Sequence, residues 1–124
     1  AIMHGHVALT EAAREQAAAR GASLIISDTD PLMTAAWAVM GLGHRLAALD
    51  AFTDVGDLYL LTADDMPWTD DGIRLHRTAE ERARFMALSR AELERRGVPW
   101  VLISGDAGQR FAAAVAAIAS AGIA

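Results

Sequence analysis

The sequence contains no cysteine and no lysine among its 124 residues. Without cysteine there is no disulfide, no thiolate metal centre and no thiol nucleophile, and redox chemistry fixes no compartment. Without lysine, all 11 basic residues are arginine, so every cation offers a planar fork of donors rather than a point charge. Long apolar runs are missing too. No stretch approaches the roughly 20 apolar residues of a membrane span, and no basic segment followed by a signal-type apolar stretch opens the chain. A cytoplasmic protein with no membrane partner is therefore expected. A net charge of -5 lacks the basic face that neutralises nucleic-acid phosphates, so no nucleic-acid partner is expected either.

Several motif classes are absent as well. No serine sits in a Gly-x-Ser-x-Gly turn and no glycine fingerprint for dinucleotides follows a strand pattern, which removes support for hydrolase and dehydrogenase chemistry. His4, His6, His44 and His76 are scattered and do not read as a metal cluster.

What is present is an apolar share of 53% with 22% charged residues, the balance of a folding chain. The length suits one domain, since a single core organises about 50 to 200 residues. No internal repeat, low-complexity linker or charge block divides it. Residues 1–124 are thus expected to form one unit. Much of the apolar content is alanine, which favours helices without filling a core.

The spacing predicts a helix over about His6 to Arg20, stopped at Gly21, then a short strand, Ser23 to Ser27, of the continuous apolar kind that is buried on both faces. Asp30 and Pro31 form an N-cap and first-turn pair for a helix over Leu32 to Met40, closed by Gly41 and Gly43. A further helix is expected over His44 to Phe52, and a second strand over Leu58 to Thr62. A polar loop covers about residues 63–77. Thr78 and Glu81 have capping-box spacing for a helix ending at Arg96, with Ala79, Ala83, Met86 and Leu93 on one face and Gly97 and Pro99 as its stop. A third strand, Trp100 to Ser104, and a helix from about Gln109 to Ala119 complete the chain. Alternating buried strands and helices imply an α/β fold with a parallel sheet flanked by helices. In such sheets ligands bind beyond the carboxyl ends of the strands. That singles out Asp28-Thr29-Asp30, Thr62-Ala63-Asp64-Asp65 and Ser104-Gly105-Asp106.

Each candidate has a plain structural reading beside the chemical one. Asp28, after an Ile-Ile strand, could hang over a magnesium ion or orient a hydroxyl, but aspartates also simply open turns. Asp30 is fully explained as an N-cap. The stretch Met66 to Arg77 packs Trp68, Asp70, Asp71, Arg74 and Arg77 together. It reads as an arginine lid over phosphates, or as a solvated loop with local ion pairs and Trp68 anchoring it.

Three blocks carry a resemblance. Leu24-Ile25-Ile26-Ser27-Asp28-Thr29-Asp30-Pro31-Leu32-Met33-Thr34, then Asp57 to Thr62 through Trp68-Thr69-Asp70-Asp71-Gly72-Ile73-Arg74, then Glu94-Arg95-Arg96-Gly97-Val98-Pro99-Trp100-Val101-Leu102-Ile103-Ser104-Gly105-Asp106 resemble ribosylnicotinamide kinases of the NadR type, in the P-loop NTPase superfamily. The resemblance implies a P-loop nucleoside kinase fold and transfer of the ATP γ-phosphoryl group, with Mg2+, to the 5′-hydroxyl of nicotinamide riboside in NAD biosynthesis. It implies that Asp28 is the Walker B carboxylate, ordering magnesium or acting as base. Asp30 would lie at the ribose, with Trp68 and Asp71 as further substrate contacts. Arg74 and Arg77 would close on phosphates, and Ser104, Gly105 and Asp106 would lie by the adenine. Such kinases begin with a strand, a Gly-x-x-x-x-Gly-Lys-Ser/Thr loop and a helix, and here no glycine-rich loop precedes Asp28 and no lysine exists to cradle the phosphates. The sequence is therefore expected to be a fragment truncated at its N-terminus, inactive alone, with a sheet edge able to pair between chains as a homo-oligomer. The parent could carry a fused adenylyltransferase domain. Two alternatives stay open: a degenerate, non-catalytic nucleotide-binding or interaction module, and a P-loop kinase for another small nucleoside or alcohol.

Overall fold

A computed structural model of the chain describes residues 2–28, 31–45, 47, 55–65 and 78–123. Helix α1 spans Ile2–Arg20 and α2 spans Pro31–Leu42. Strand β1 is Tyr59–Thr62, α3 is Ala79–Arg96, β2 is Trp100–Ile103 and α4 is Ala107–Ser120. The two strands pair in parallel, Tyr59 opposite Trp100 through Thr62 opposite Ile103, with α3 as the crossover between them. The chain is α/β, as its alternating pattern implies.

Local chemistry sets the boundaries. The Thr78 hydroxyl accepts from the Glu81 N–H at 3.0 Å, and the α3 C-terminus turns through Gly97 at φ 65°, a conformation that costs glycine little. Asp106 and Gln109 make a reciprocal capping box at the start of α4, each side chain bonding the other's backbone N–H. That cap starts the helix two residues before the position expected from the alanine run. Gly43, not Gly41, is the positive-φ stop of α2. The helix expected over His44 to Phe52 lies largely outside the described residues.

The core sits between α2, α3 and the sheet. Leu32, Leu61 and Leu93 form its centre, with Met33, Val55, Tyr59, Met86, Val98 and Trp100 packed around them. Buried Ala35 and Ala36 let α2 approach α3 closely, and the Ser89 hydroxyl turns back to the Phe85 carbonyl at 2.8 Å, which satisfies it inside its own helix. Trp37 and Phe85 pack across the same contact with ring centroids 4.4 Å apart and planes tilted by 43°. The expected face of α3 is corrected in part. Ala79 and Ala83 are exposed, while Ser89 and Glu92 join Leu93 in the interior.

Glu92, 3% exposed, is the polar centre of this layer. Arg45 Nη2 donates to both its oxygens at 2.8 and 3.1 Å and Arg95 to one at 2.7 Å, with Arg96 at 3.6 Å. Burial opposes ionisation of the carboxyl, yet the hydrogen bonds from Arg95 and Arg45 outweigh it and hold Glu92 below the ordinary glutamate range.

One expectation fails. Ser23 to Ser27 is not a strand, and among the described residues the sheet is β1 and β2 alone. Ile26 is 80% exposed. The segment lies along a cleft of about 1250 Å³ whose other lining includes Leu58 to Asp64 of the β1 region, so the cleft stands where ladder hydrogen bonds would have to form. Among the described residues no strand pairs with the other side of β1. Tyr59 N–H bonds Pro99 O and Ala63 N–H bonds Ile103 O, so by alternation the N–H groups of Leu60 and Thr62 point away from β2.

Candidate functional site

The polar groups of interest gather where β1 and β2 end. β1 runs out into Ala63-Asp64-Asp65 and β2 into Ser104-Gly105-Asp106, and because the strands are parallel and in register both turns lie at one rim. The Asp65 carboxylate accepts the Gly105 N–H at 2.7 Å, which ties the two turns directly. Arg110, on the first turn of α4, completes the tie. Its Nε donates to Gly105 O at 2.8 Å and its Nη2 to Ala63 O at 2.8 Å, and Nη2 also bonds Asp65 Oδ1. The Gly105 hydrogen bond, then the Arg110 charge, against some desolvation, hold Asp65 below the ordinary aspartate range.

Gly105 adopts φ +96°, and a Cβ there would stand 2.4 Å from the Gln109 side-chain oxygen. Only glycine fits this turn. Asp106, a candidate nucleotide contact, spends one carboxylate oxygen on the Gln109 N–H at 2.8 Å. Its exposed position leaves the rest of the group facing solvent.

Asp28 lines the large cleft together with Thr62, Ala63 and Asp64, so the first and second candidate carboxyl-end clusters share one cavity. Asp28 is exposed. The cleft it lines is of mixed character, with Met33, Trp37, Phe85 and Leu93 beside Arg14, Ser23 and Ser89. Arg82 at the start of α3 lines the cleft too and pairs with Asp64 at 3.0 Å. The described residues hold no group of three or more His, Cys, Asp or Glu placed to bind a metal.

The structure thus places Asp28 and the Thr62–Asp64 turn on one cleft, and ties Ala63 and Asp65 to Gly105 through Arg110. Asp30, Trp68, Asp71, Arg74 and Arg77, with most of the candidate lid over 63–77, lie outside the described residues. Arg110 and the linking role of Asp65 escaped the sequence reading. The available signal was an arginine one turn into the helix that follows a strand-end Ser-Gly-Asp, placed to reach back over that turn.

No helix among the described residues is long and apolar enough to cross a membrane. A family model described as an AAA domain matches residues 2–110, nearly the whole chain, and this family is of the nucleotide-binding P-loop NTPase type. No curated protein matches, and no solved structure does.

Proposed function

Because the chain belongs to the AAA domain family, we propose that it is the acceptor and nucleotide-turn part of a kinase that transfers the ATP γ-phosphoryl group to the 5′-hydroxyl of nicotinamide riboside, forming nicotinamide mononucleotide. The observation that carries this reading is the shared cleft, with Asp28 and the Thr62–Asp64 turn lining one cavity at the carboxyl end of a parallel strand, where α/β folds hold their ligands.

Asp28 is the base in this reading. It takes the proton of the ribose hydroxyl as that oxygen attacks the γ-phosphorus and ADP departs. Asp30, Trp68 and Asp71 hold the riboside, and Arg74 and Arg77 close on the phosphates. Ser104, Gly105 and Asp106 take the adenine side. A magnesium ion binds nucleotide phosphates through one or two protein carboxylates and keeps several waters, and Asp28, an exposed carboxylate lining the cleft, fits that demand. Asp28 would hold the ion, which neutralises charge on the transferring phosphoryl group.

No lysine in these residues can cradle the β- and γ-phosphates, so the phosphate loop and its strand come from polypeptide beyond them. The N–H groups of Leu60 and Thr62, which point away from β2, and the cleft beside them suit such a strand. The same lack of lysine favours a second reading, a nucleotide-binding module without catalysis.

Titration calorimetry and product analysis on the full-length protein decide between them. Binding of ATP and nicotinamide riboside with formation of the mononucleotide is expected, and Asp28→Asn should cut kcat by about 10²- to 10⁴-fold at unchanged melting temperature. ATP binding without turnover selects the second reading. Binding of neither ligand overturns both, and turnover of a different riboside alone moves the acceptor assignment.

A further inference from the structure

Arg110 is 14% exposed on its side chain, and three of its hydrogen bonds end on atoms of the two strand-end turns. Its Nε reaches Gly105 O and its Nη2 reaches Ala63 O and Asp65. Asp65 in turn holds the Gly105 N–H. The Gly105 residue is therefore gripped on both its polar backbone groups, N–H by a carboxylate and C=O by a guanidinium, and those two side chains are paired with each other. The ring so closed joins stretches 40 to 47 residues apart in sequence.

The geometry needs a fork. The Nε and Nη2 donors point outward within the guanidinium plane at fixed angles and reach Gly105 O and Ala63 O from two separate nitrogens, a spread that the single nitrogen of a lysine ammonium does not reproduce. These donors are spent on protein atoms, and the Arg110 charge is matched by Asp65. A ligand at the rim therefore feels Arg110 through the shape of the turn. Gln109 stands where a Cβ would project from Gly105 and the φ there is positive, so no other residue fits the turn that Arg110 and Asp65 grip.

Resting on the reading of Ser104–Asp106 as the nucleotide turn, we propose that Arg110 is a positioning residue that, with Asp65, fixes that turn against the end of β1 and so sets affinity for the nucleotide but not for the acceptor. Arg110→Gln frees the Gly105 carbonyl and unpairs Asp65. Arg110→Lys keeps the charge and loses the fork. Asp65→Asn keeps one acceptor for the Gly105 N–H and loses the ion pair.

The test uses the full-length protein. The ATP Kd, the nicotinamide riboside KM and the melting temperature are measured for wild type, Arg110→Gln, Arg110→Lys, Asp65→Asn and the double variant Asp65→Asn with Arg110→Gln. Amide exchange at Gly105 is followed by NMR. Arg110→Gln should weaken ATP about tenfold, the loss of one charge-assisted bond, and leave the riboside KM within about twofold. Lysine should not rescue it. The double variant should be no worse than Arg110→Gln, as expected within one network, and Gly105 exchange should accelerate in every variant. An unchanged ATP Kd with a lowered melting temperature makes Arg110 a stabilising residue only and overturns the proposal, as does equal weakening of both ligands. Unchanged Gly105 exchange overturns the ring itself. Failure of the wild type to bind ATP sinks the kinase reading, and the positioning role falls with it; a wild type that binds ATP while Arg110→Gln binds it equally well sinks the positioning role alone.

Discussion

Ser23-Leu24-Ile25-Ile26-Ser27 and Leu58-Tyr59-Leu60-Leu61-Thr62 are nearly interchangeable as sequence, each a short apolar run between polar turns, and the structure treats them differently. The second is a strand, because Trp100 to Ile103 lies beside it and supplies the ladder. The first lines a cleft with Ile26 in solvent. Apolar composition gives a segment the capacity to be a strand. A hydrogen-bonding neighbour makes it one. Along β1 the same contrast appears between its two sides, one bonded to β2 and the other without a strand among the described residues.

The comparison is sharpest where burial is deepest. Leu93 is fully buried at the meeting of α3 with Leu32 and Leu61, so it carries the side of the sheet that is finished. Leu93→Ala should cost about 2 to 5 kcal/mol by chemical denaturation, the range for a buried leucine whose site cannot collapse. A loss below about 1 kcal/mol would mean that the α2–α3 layer repacks freely and that the finished side is as loose as the open one.

Glu92 tests the same layer by charge. Glu92→Gln should destabilise by about 1 to 3 kcal/mol at neutral pH, because it removes charge-assisted bonds from arginines that are themselves part-exposed. The carboxyl is held below its unfolded value, so its contribution is fully present above the unfolded pKa and is lost as pH falls through the folded one. The gap between wild type and Glu92→Gln should therefore stay constant through pH 6 to 8, and close at acid pH, below about 4. A gap that widened on acidification would contradict the ion cluster.

Much of this frame was legible in the sequence. Helix stops at Gly21, Gly43 and Gly97 follow from backbone freedom that a single letter announces. The Thr78 cap and the parallel pairing follow from local and alternating patterns, whereas the Asp106 cap is masked by the reading of Asp106 as a ligand contact. The candidate rim was legible as a rule about carboxyl ends, which brought Asp28, Thr62–Asp65 and Ser104–Asp106 forward together. Glu92 was not legible, because a glutamate between apolar residues on a helix reads as solvated until Arg45, far away in sequence, is seen to fold back onto it. Arg110 was hidden for the same reason. Its partners Ala63 O and Gly105 O are backbone atoms, and sequence carries no letter for a carbonyl that needs a donor.

The smallest effect belongs to the unpaired segment and is the most discriminating. In the 124-residue chain Ile26→Ser removes a side chain that is already in water, so stability should change by less than about 0.5 kcal/mol. In a longer protein that carried the proposed phosphate-loop strand in the cleft lined by Asp28 and Thr62, the same substitution would fall on a strand with neighbours and should cost about 1 to 3 kcal/mol. Denaturation of both proteins with and without the change measures the difference directly. Equal, small effects in the two would mean that nothing pairs with Ser23 to Ser27 in either, and the open side of β1 would then need another explanation than a strand carrying the phosphate loop.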